Sequence, residues 1–497
     1  MAYLMLLAGI FFLRPNGALQ KNPAWSRKAV VRIAGILVLA ATIALLVYPM
    51  TLPTYWNGTK PAHRNQYEVM AKSLLNGHIY MDYTDIDPKL GEMENPYDPA
   101  ARKAAGVRFH WDHAWYNGHY YMYFGIVPVL LLFLPYRAIT GLDLTTYIAT
   151  ALFASGGAIG IFLLFREIAK RFFEKLPAGV VYALSFAVSI ASFYYSAKAP
   201  ALYCTAVSSA LCMMIFSFFF YFKAVFVAEK AAHQTVYAVL GASFGALAIG
   251  CRPTIAVANL IAIPMLVYFL RHRKFTGRVA LQVAAAVMPY VIVLALLGVY
   301  NYARFGNPLE FGQAYQLTLA DQSAYSGLFA GKSLGQLLKG VVETFFFFGK
   351  STDSFPWIGY SGVFVNFPFF LASVLLFLPK TVVKAKKEKL LALLIVTFLT
   401  PFVIALLDGA WSPVVLERYR SDVYYLVGTA SFLAIGAIYE RTRNLKMQAL
   451  LRTAFGMLAL LVVVSAFALY VIPNDGSYTA ESAENLAKVK KVLFFIF

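Results

Sequence analysis

The stretch richest in reactive side chains is residues 109–135, FHWDHAWYNGHYYMYFGIVPVLLLFLP. Asp112 lies between His110 and His113 and is framed by Phe109, Trp111 and Trp115. Bulky aromatic surroundings raise a carboxylate pKa towards that of a general base. The same Asp could equally cap a turn before Tyr116-Asn117-Gly118, and local sequence leaves both readings open. Tyr116, Tyr120, Tyr121 and Tyr123 follow in the same aromatic cluster. Two histidines and one Asp without a fourth ligand make a poor metal site. Asp82, Asp85 and Asp87 lack the glycine and terminal Glu of a calcium loop and read as solvated charge. No metal or other cofactor is expected.

Three further clusters combine arginine with acids or aromatics. Arg252 sits in Gly250-Cys-Arg-Pro-Thr254, between two apolar runs, where it either snorkels to headgroups or binds an anion such as phosphate. Arg304 and Glu310 lie just beyond another run, in NYARFGNPLEFGQAY, residues 301–315. Glu417-Arg418-Tyr419-Arg420-Ser421-Asp422 places two arginines and two carboxylates where the chain goes back into an apolar run. A structural ion-pair network is the plain alternative for each of the last two. The chain contains no phosphate-binding glycine loop, H-E-x-x-H or serine elbow.

The elements that must position these residues are membrane spans. Sixty per cent hydrophobic residues, 13% charged residues and a mean hydropathy of +0.64 exclude a soluble globular domain, which carries about twice that charged fraction. Eleven runs are candidates to cross a ~30 Å hydrocarbon core: 30–50, 145–165, 179–196, 201–222, 235–250, 254–270, 279–300, 356–378, 390–407, 422–438 and 449–472. Residues 120–135 would make a twelfth, and charge decides against it. If 120–135 does not cross, the segments 1–28, 166–175, 223–234, 271–278, 380–389 and 440–452 share one face. They carry 23 of the 43 basic residues and five acids, while the other face carries 19 of each. The positive-inside rule then makes the basic face cytoplasmic. It also disposes of the net charge of +19 without nucleic acid.

This layout leaves a first external loop of about 90 residues, 51–143, and a second, 301–355, within a single polytopic domain; loops beyond ~12–15 residues are usually functional. In the first, residues 65–77 space Tyr67, Met70, Leu74 and Leu75 along one helical face ending at Gly77. In the second, Ser333 is placed to cap a helix running towards 345–348. Residues 120–135 are expected to dip into or lie along the outer leaflet. Residues 1–13 read as a cytoplasmic half-helix rather than a cleaved signal, because basic residues follow the apolar run. Cys204, Cys212 and Cys251 read as packing residues.

The order of the strings WDHAWYNGHYYMYFGIVP (111–128), Gly250-Cys-Arg-Pro253, YARFGNPLEFG (302–312) and Glu417-Arg-Tyr-Arg-Ser-Asp422 resembles bacterial polytopic glycosyltransferases of the GT-C type. The resemblance implies an all-α membrane fold with a long first external loop carrying membrane-parallel helices. It also implies a sugar donor on a polyprenyl phosphate, a glycan or lipid acceptor, and a site on the external face of the inner or plasma membrane. Such enzymes commonly carry an acid soon after the first span, then a Tyr. Here Arg64-Asn-Gln-Tyr-Glu68 has amides before Tyr67, with Glu68 one step beyond. Asp112 is therefore the first candidate for the base and Glu68 the second. Arg252, Arg304, Arg418 and Arg420 are candidates for the leaving phosphate. His110, His113, Tyr116, Tyr120, Tyr123, Glu310, Tyr419 and Asp422 are candidates for substrate contacts. Attack assisted by one carboxylate would invert the anomeric carbon. Two alternatives share the architecture: a flippase or transporter of lipid-linked saccharide, and a polysaccharide polymerase or ligase.

Overall fold

In the computed structural model of the 497-residue chain, the described residues are 17–51, 65–200, 202–325, 331–349, 359–412, 416–471 and 487. The expected half-helix at 1–13 and the tail beyond 473 lie outside them, apart from residue 487.

Among the described residues, ten helices are long and apolar enough to cross a membrane. They are Ala29–Thr51, Thr146–Phe172, Ala178–Lys198, Leu202–Val227, Ala231–Ile249, Pro253–Arg271, Gly277–Phe305, Leu391–Trp411, Glu417–Arg441 and Leu445–Tyr470. Each falls on an expected span. The remaining one, 356–378, is not a straight helix. Its described part, from residue 359, holds a short helix, Val363–Asn366, and a tight 3₁₀ segment, Pro368–Phe377, bent by 58° from the helix Pro379–Lys387. Pro379 forces the bend, because Leu378 before it is held extended, at ψ 136°.

Ala178–Lys198 and Glu417–Arg441 form the centre of the bundle and are buried over 89% and 83% of their most apolar windows. Burial on all sides in an apolar bundle demands that every polar atom be satisfied internally. The hydroxyls of Ser185, Ser189 and Ser192 accordingly donate to the carbonyls four residues back, at 2.7–2.8 Å. Gly277–Phe305 lies at the periphery and exposes Leu281, Val291 and Leu296.

Residues 120–135 do not form a span. They begin in a hairpin, Ala114–Tyr116 with His119–Tyr121, and continue into a wide π turn, Val129–Phe133, and a short helix, Leu134–Thr140. This apolar piece is too short to cross a membrane unaided. It packs on the expected amphipathic helix, seen as Gln66–Leu75, where Tyr67 stacks on Phe133 at 5.2 Å. Gly77, at φ +83°, follows that helix.

Ser333 caps Leu334–Phe346 through a reciprocal box with Gln336. This helix runs towards 345–348 as expected and packs antiparallel beside Leu391–Trp411. Lys332 bonds Gly409 O and Ser412 O at one end, and Phe345 stacks on Phe402 at 4.3 Å at the other. Two apolar stripes explain the placement, Leu337 and Phe345 against the bundle and Leu334, Leu338 and Val342 outward. The three cysteines are free and buried.

Candidate active site

Asn117 and Gly118 both take positive φ, 47° and 80°, the two-residue turn that matches strand twist. That turn closes the hairpin and pairs Trp115 with Tyr120. Backbone bonds from Trp115 N to Tyr315 O and from Leu317 N to His113 O (both 2.9 Å) attach the second loop to it. Asp112, just before the hairpin, also has positive φ, 57°. Three bonds hold it there. Its N–H donates to Leu317 O at 2.9 Å, its carbonyl accepts from Gln66 Nε2 at 2.8 Å, and its Oδ1 accepts from Gln316 Nε2 at 2.9 Å. Asp is among the few non-glycine residues that tolerate this region, and the three bonds fix it there. The side chain is buried, which raises its pKa above the usual carboxylate value against the opposing charge of Arg418.

The histidines serve as scaffold around it. His113 is fully buried; its Nδ1 lies 2.8 Å from Trp111 O and its Nε2 2.8 Å from Tyr83 Oη, so the ring can donate to the first and accept from the second. His110 contacts Asp85 through Nε2 at 3.0 Å and stacks on Tyr83 at 4.0 Å. The two rings thus point to different partners. Tyr120 is buried edge-on against Tyr83, its phenol pushed up to about 12 by burial. Tyr116 packs with Phe305 and Tyr315 on the other side of the hairpin. Tyr123 lies where the charges of Asp112, Arg418 and Arg252 act on it together, beside Tyr419.

The arginines divide. Arg252 donates through Nε to Asp422 Oδ2 at 2.7 Å and comes within 3.9 Å of Asp408 Oδ1. Thr254 Oγ1 donates to the same Asp422 oxygen at 3.1 Å. The Arg252 side chain keeps 16% exposure while Asp422 has none. Arg418 rests on the Tyr203 ring at 4.0 Å and near Tyr419 at 5.4 Å. Among the described residues it makes no hydrogen bond or ion pair within 4.0 Å. Arg252 and Arg418 thus both lie over the Tyr419 ring, at 5.3 and 5.4 Å, with buried Asp422 on Arg252 and the charge of Arg418 acting on Asp112.

Arg304 and Arg420 are committed elsewhere. Arg304 is buried, donates to Met122 O at 2.8 Å and Asn301 Oδ1 at 2.6 Å, and stacks on Tyr300. It anchors the segment leading to Tyr123. Arg420 is ion-paired with Glu417, which also accepts from Tyr194 at 3.3 Å. Glu310 accepts from Gly312 N at 2.6 Å within its own turn.

Glu68 lies at the start of a span. Its Oε1 accepts from Thr146 N at 2.9 Å and Thr146 Oγ1 at 2.7 Å. Burial raises its pKa from 4.5 to about 7. A folded-state carboxyl pKa above the unfolded one means the folded state binds more protons, so stability falls as pH rises from about 4.5 to 7. Glu68→Gln is expected to flatten that part of the melting-temperature profile while leaving activity within about tenfold, as a cap-like contact does. A pH-resolved thermal scan checks it.

Gly125 holds the two halves of the site in register. A Cβ there would come within 2.1 Å of Gly250 O, the carbonyl that accepts from Val127 N at 2.9 Å. Gly125→Ala must push the 250–252 turn, and Arg252 with it, away from Tyr123. A shift of ~1 Å in a positioned group costs about 10²-fold. A loss of that order in kcat/KM, from protein that still purifies monodisperse, is the expected result.

Sequence reading missed Gln316, Thr254, Tyr203 and Asp408. Asn-Gly at 117–118 between aromatic runs was a legible hairpin signal. Asp408, an acid at the end of an apolar run, was a second signal. Gln316 and Tyr203 carried none. Among the described residues no group of three or more His, Cys, Asp or Glu is arranged to hold a metal ion.

No family model matches the chain, and no curated protein does. Among solved structures it is similar to ArnT from Cupriavidus metallidurans bound to undecaprenyl phosphate. Identity is 13% over 93% of this chain and 79% of that one, with a TM-score of 0.45. It is also similar to the oligosaccharyltransferase AglB from Archaeoglobus fulgidus in complex with an inhibitory peptide and a dolichol-phosphate. There identity is 13% over 92% of this chain and 56% of that one, with a TM-score of 0.42.

Proposed function

We propose that the protein is a membrane glycosyltransferase that moves a sugar from a polyprenyl-phosphate donor to an acceptor hydroxyl on a glycan or lipid. The observation that carries this is a buried carboxylate held at positive φ, Asp112, within the electrostatic reach of a guanidinium, Arg418, that makes no ion pair among the described residues. A carboxylate base beside a cation suits a reaction that removes a proton at one end and develops an anion at the other.

In this reading the acceptor hydroxyl attacks the anomeric carbon while Asp112 takes its proton. The bond from that carbon to the phosphate oxygen breaks, and the electron pair leaves with the polyprenyl phosphate. Arg418 and Arg252 stabilise the charge that develops there. Tyr123 and Tyr419 supply ring faces for the sugar. One displacement of this kind inverts the anomeric centre. The positive-inside rule puts the site on the external face, opposite the basic loops. Undecaprenyl phosphate and dolichol-phosphate, present in the ArnT and AglB structures, are lipids of the proposed class.

The test is transfer of radiolabelled sugar by the purified protein from a panel of polyprenyl-phosphate sugars. Transfer from a single-sugar carrier supports the reading. Transfer from an oligosaccharide carrier alone makes the protein a polymerase or ligase. Lipid-linked saccharide flipped in vesicles without transfer overturns the enzyme.

A further inference from the structure

At the end of the bundle opposite the Asp112 site, a cavity opens between the ends of Thr146–Phe172, Leu202–Val227 and Glu417–Arg441. Its volume is about 1030 Å³, counting the space at its mouth. On the Glu417–Arg441 helix its lining runs from Leu426 to Arg441, and Arg441 at its mouth lies 23 residues beyond Arg418, about 35 Å at 1.5 Å per residue. The cavity's depth is apolar, lined by Ile168, Phe222, Met265, Leu376 and Leu433. Its charged lining residues are Lys384, Glu388, Glu440 and Arg441.

The wall that carries Lys384 is the bent helix Pro379–Lys387, which buries Thr381 and Ala385 and exposes Val383. Four of its nine residues are lysines, Lys380, Lys384, Lys386 and Lys387. A basic amphipathic helix directly after an apolar segment is the pattern of an anionic-lipid contact, as are basic pockets between spans. The carboxylates nearby do not cancel this charge. Glu440 and Glu388 offset the two bases of the lining, Glu388 meeting Lys384 in an exposed pair at 3.7 Å, while Lys380, Lys386 and Lys387 on the same helix leave the rim net basic. Arg441 donates to Thr381 Oγ1 at 3.0 Å and has no carboxylate within 4.0 Å among the described residues.

We propose that this cavity binds an anionic glycerophospholipid, with an acyl chain between Ile168, Phe222, Met265 and Leu433 and the phosphate on Arg441 and Lys384. The apolar depth excludes a free anion as the occupant, and the cationic mouth selects an anionic over a zwitterionic headgroup. The site is separate from the donor-phosphate site, so it stands whatever sugar the enzyme transfers.

The experiment is native mass spectrometry of the full-length protein with phosphatidylglycerol or phosphatidylcholine of identical chains. Phosphatidylglycerol is expected to be retained about thirtyfold more tightly, the contribution of two basic residues at a headgroup. Arg441→Gln with Lys384→Ala should remove that preference. Ala437→Trp, which fills the wall, should reduce retention of both lipids. Equal retention of the two lipids by the wild type overturns the proposal, as does unchanged selectivity in the charge variant. Should Ala437→Trp fail to fold, the charge variant, altered at the end of the bundle, decides alone. Displacement of phosphatidylglycerol by equimolar undecaprenyl phosphate overturns the choice of lipid.

Discussion

Replacing Asp112 with Asn is expected to lower kcat for sugar transfer by about 10²- to 10⁴-fold, the usual worth of a positioned general base. The substitution keeps the backbone and the Gln316 bond but leaves one acceptor oxygen fewer for the Thr318 and Trp111 side chains, which also hydrogen-bond this carboxylate. Asn tolerates positive φ nearly as well as Asp, so the backbone at 57° need not move. The bond from Gln316 Nε2 to Oδ1 can persist, because an amide oxygen accepts as a carboxylate does. What disappears is the negative charge and the capacity to take a proton. The wild-type pH profile should carry the same signature. Burial holds the Asp112 pKa above its ordinary 3.8, so activity should fall as pH is lowered through a value higher than that of a free aspartate. Full activity in Asp112→Asn, measured with the preferred donor, would remove Asp112 from the chemistry.

Arg418→Gln is expected to lower kcat/KM for the donor by about 10²- to 10³-fold, as loss of one positioned donor to a developing anion does. Its effect on stability should be small, since Arg418 gives up stacking on Tyr203 and no ion pair within the described residues. Arg252→Gln makes the informative contrast. It removes a comparable charge beside the same Tyr419 ring but strands Asp422 and Asp408, both buried, without their cation. Breaking a buried pair from one side costs about 3–5 kcal/mol. Arg252→Gln should therefore lose both activity and melting temperature, and Arg418→Gln activity alone. Kinetics beside thermal unfolding of the two variants separates the roles. Equal destabilisation with intact kinetics in both would reduce the cluster to a structural ion network.

Arg420 and Arg418 show how much of the site could be read along the chain. Both looked equally able to meet a phosphate. They stand two residues apart on one helix, about 200° round its axis at 3.6 residues per turn. Only one of them can share a face with Asp422, and the helical period puts Arg418 there, four residues away. Which face met Asp112 could not be read, because that depends on the packing of Glu417–Arg441 against its neighbours. Arg304 misled for a related reason. An arginine beside aromatics reads as a ligand site, yet its hydrogen bonds close on Met122 O and Asn301.

The spans and the refusal of 120–135 to cross were determined by the sequence itself. Backbone polar groups in hydrocarbon must be satisfied within one helix, so length and composition of an apolar run suffice to locate it. Turn chemistry at Asn117-Gly118 and the cap at Ser333 are local in the same sense. The site is not local. Asp112 is held by Gln316, and Arg252 by Asp422, partners 204 and 170 residues apart. Contacts at that separation follow from how helices pack and how two loops pair across their ends. No periodicity along the chain encodes them, so only the tertiary structure decided which carboxylate faces which guanidinium.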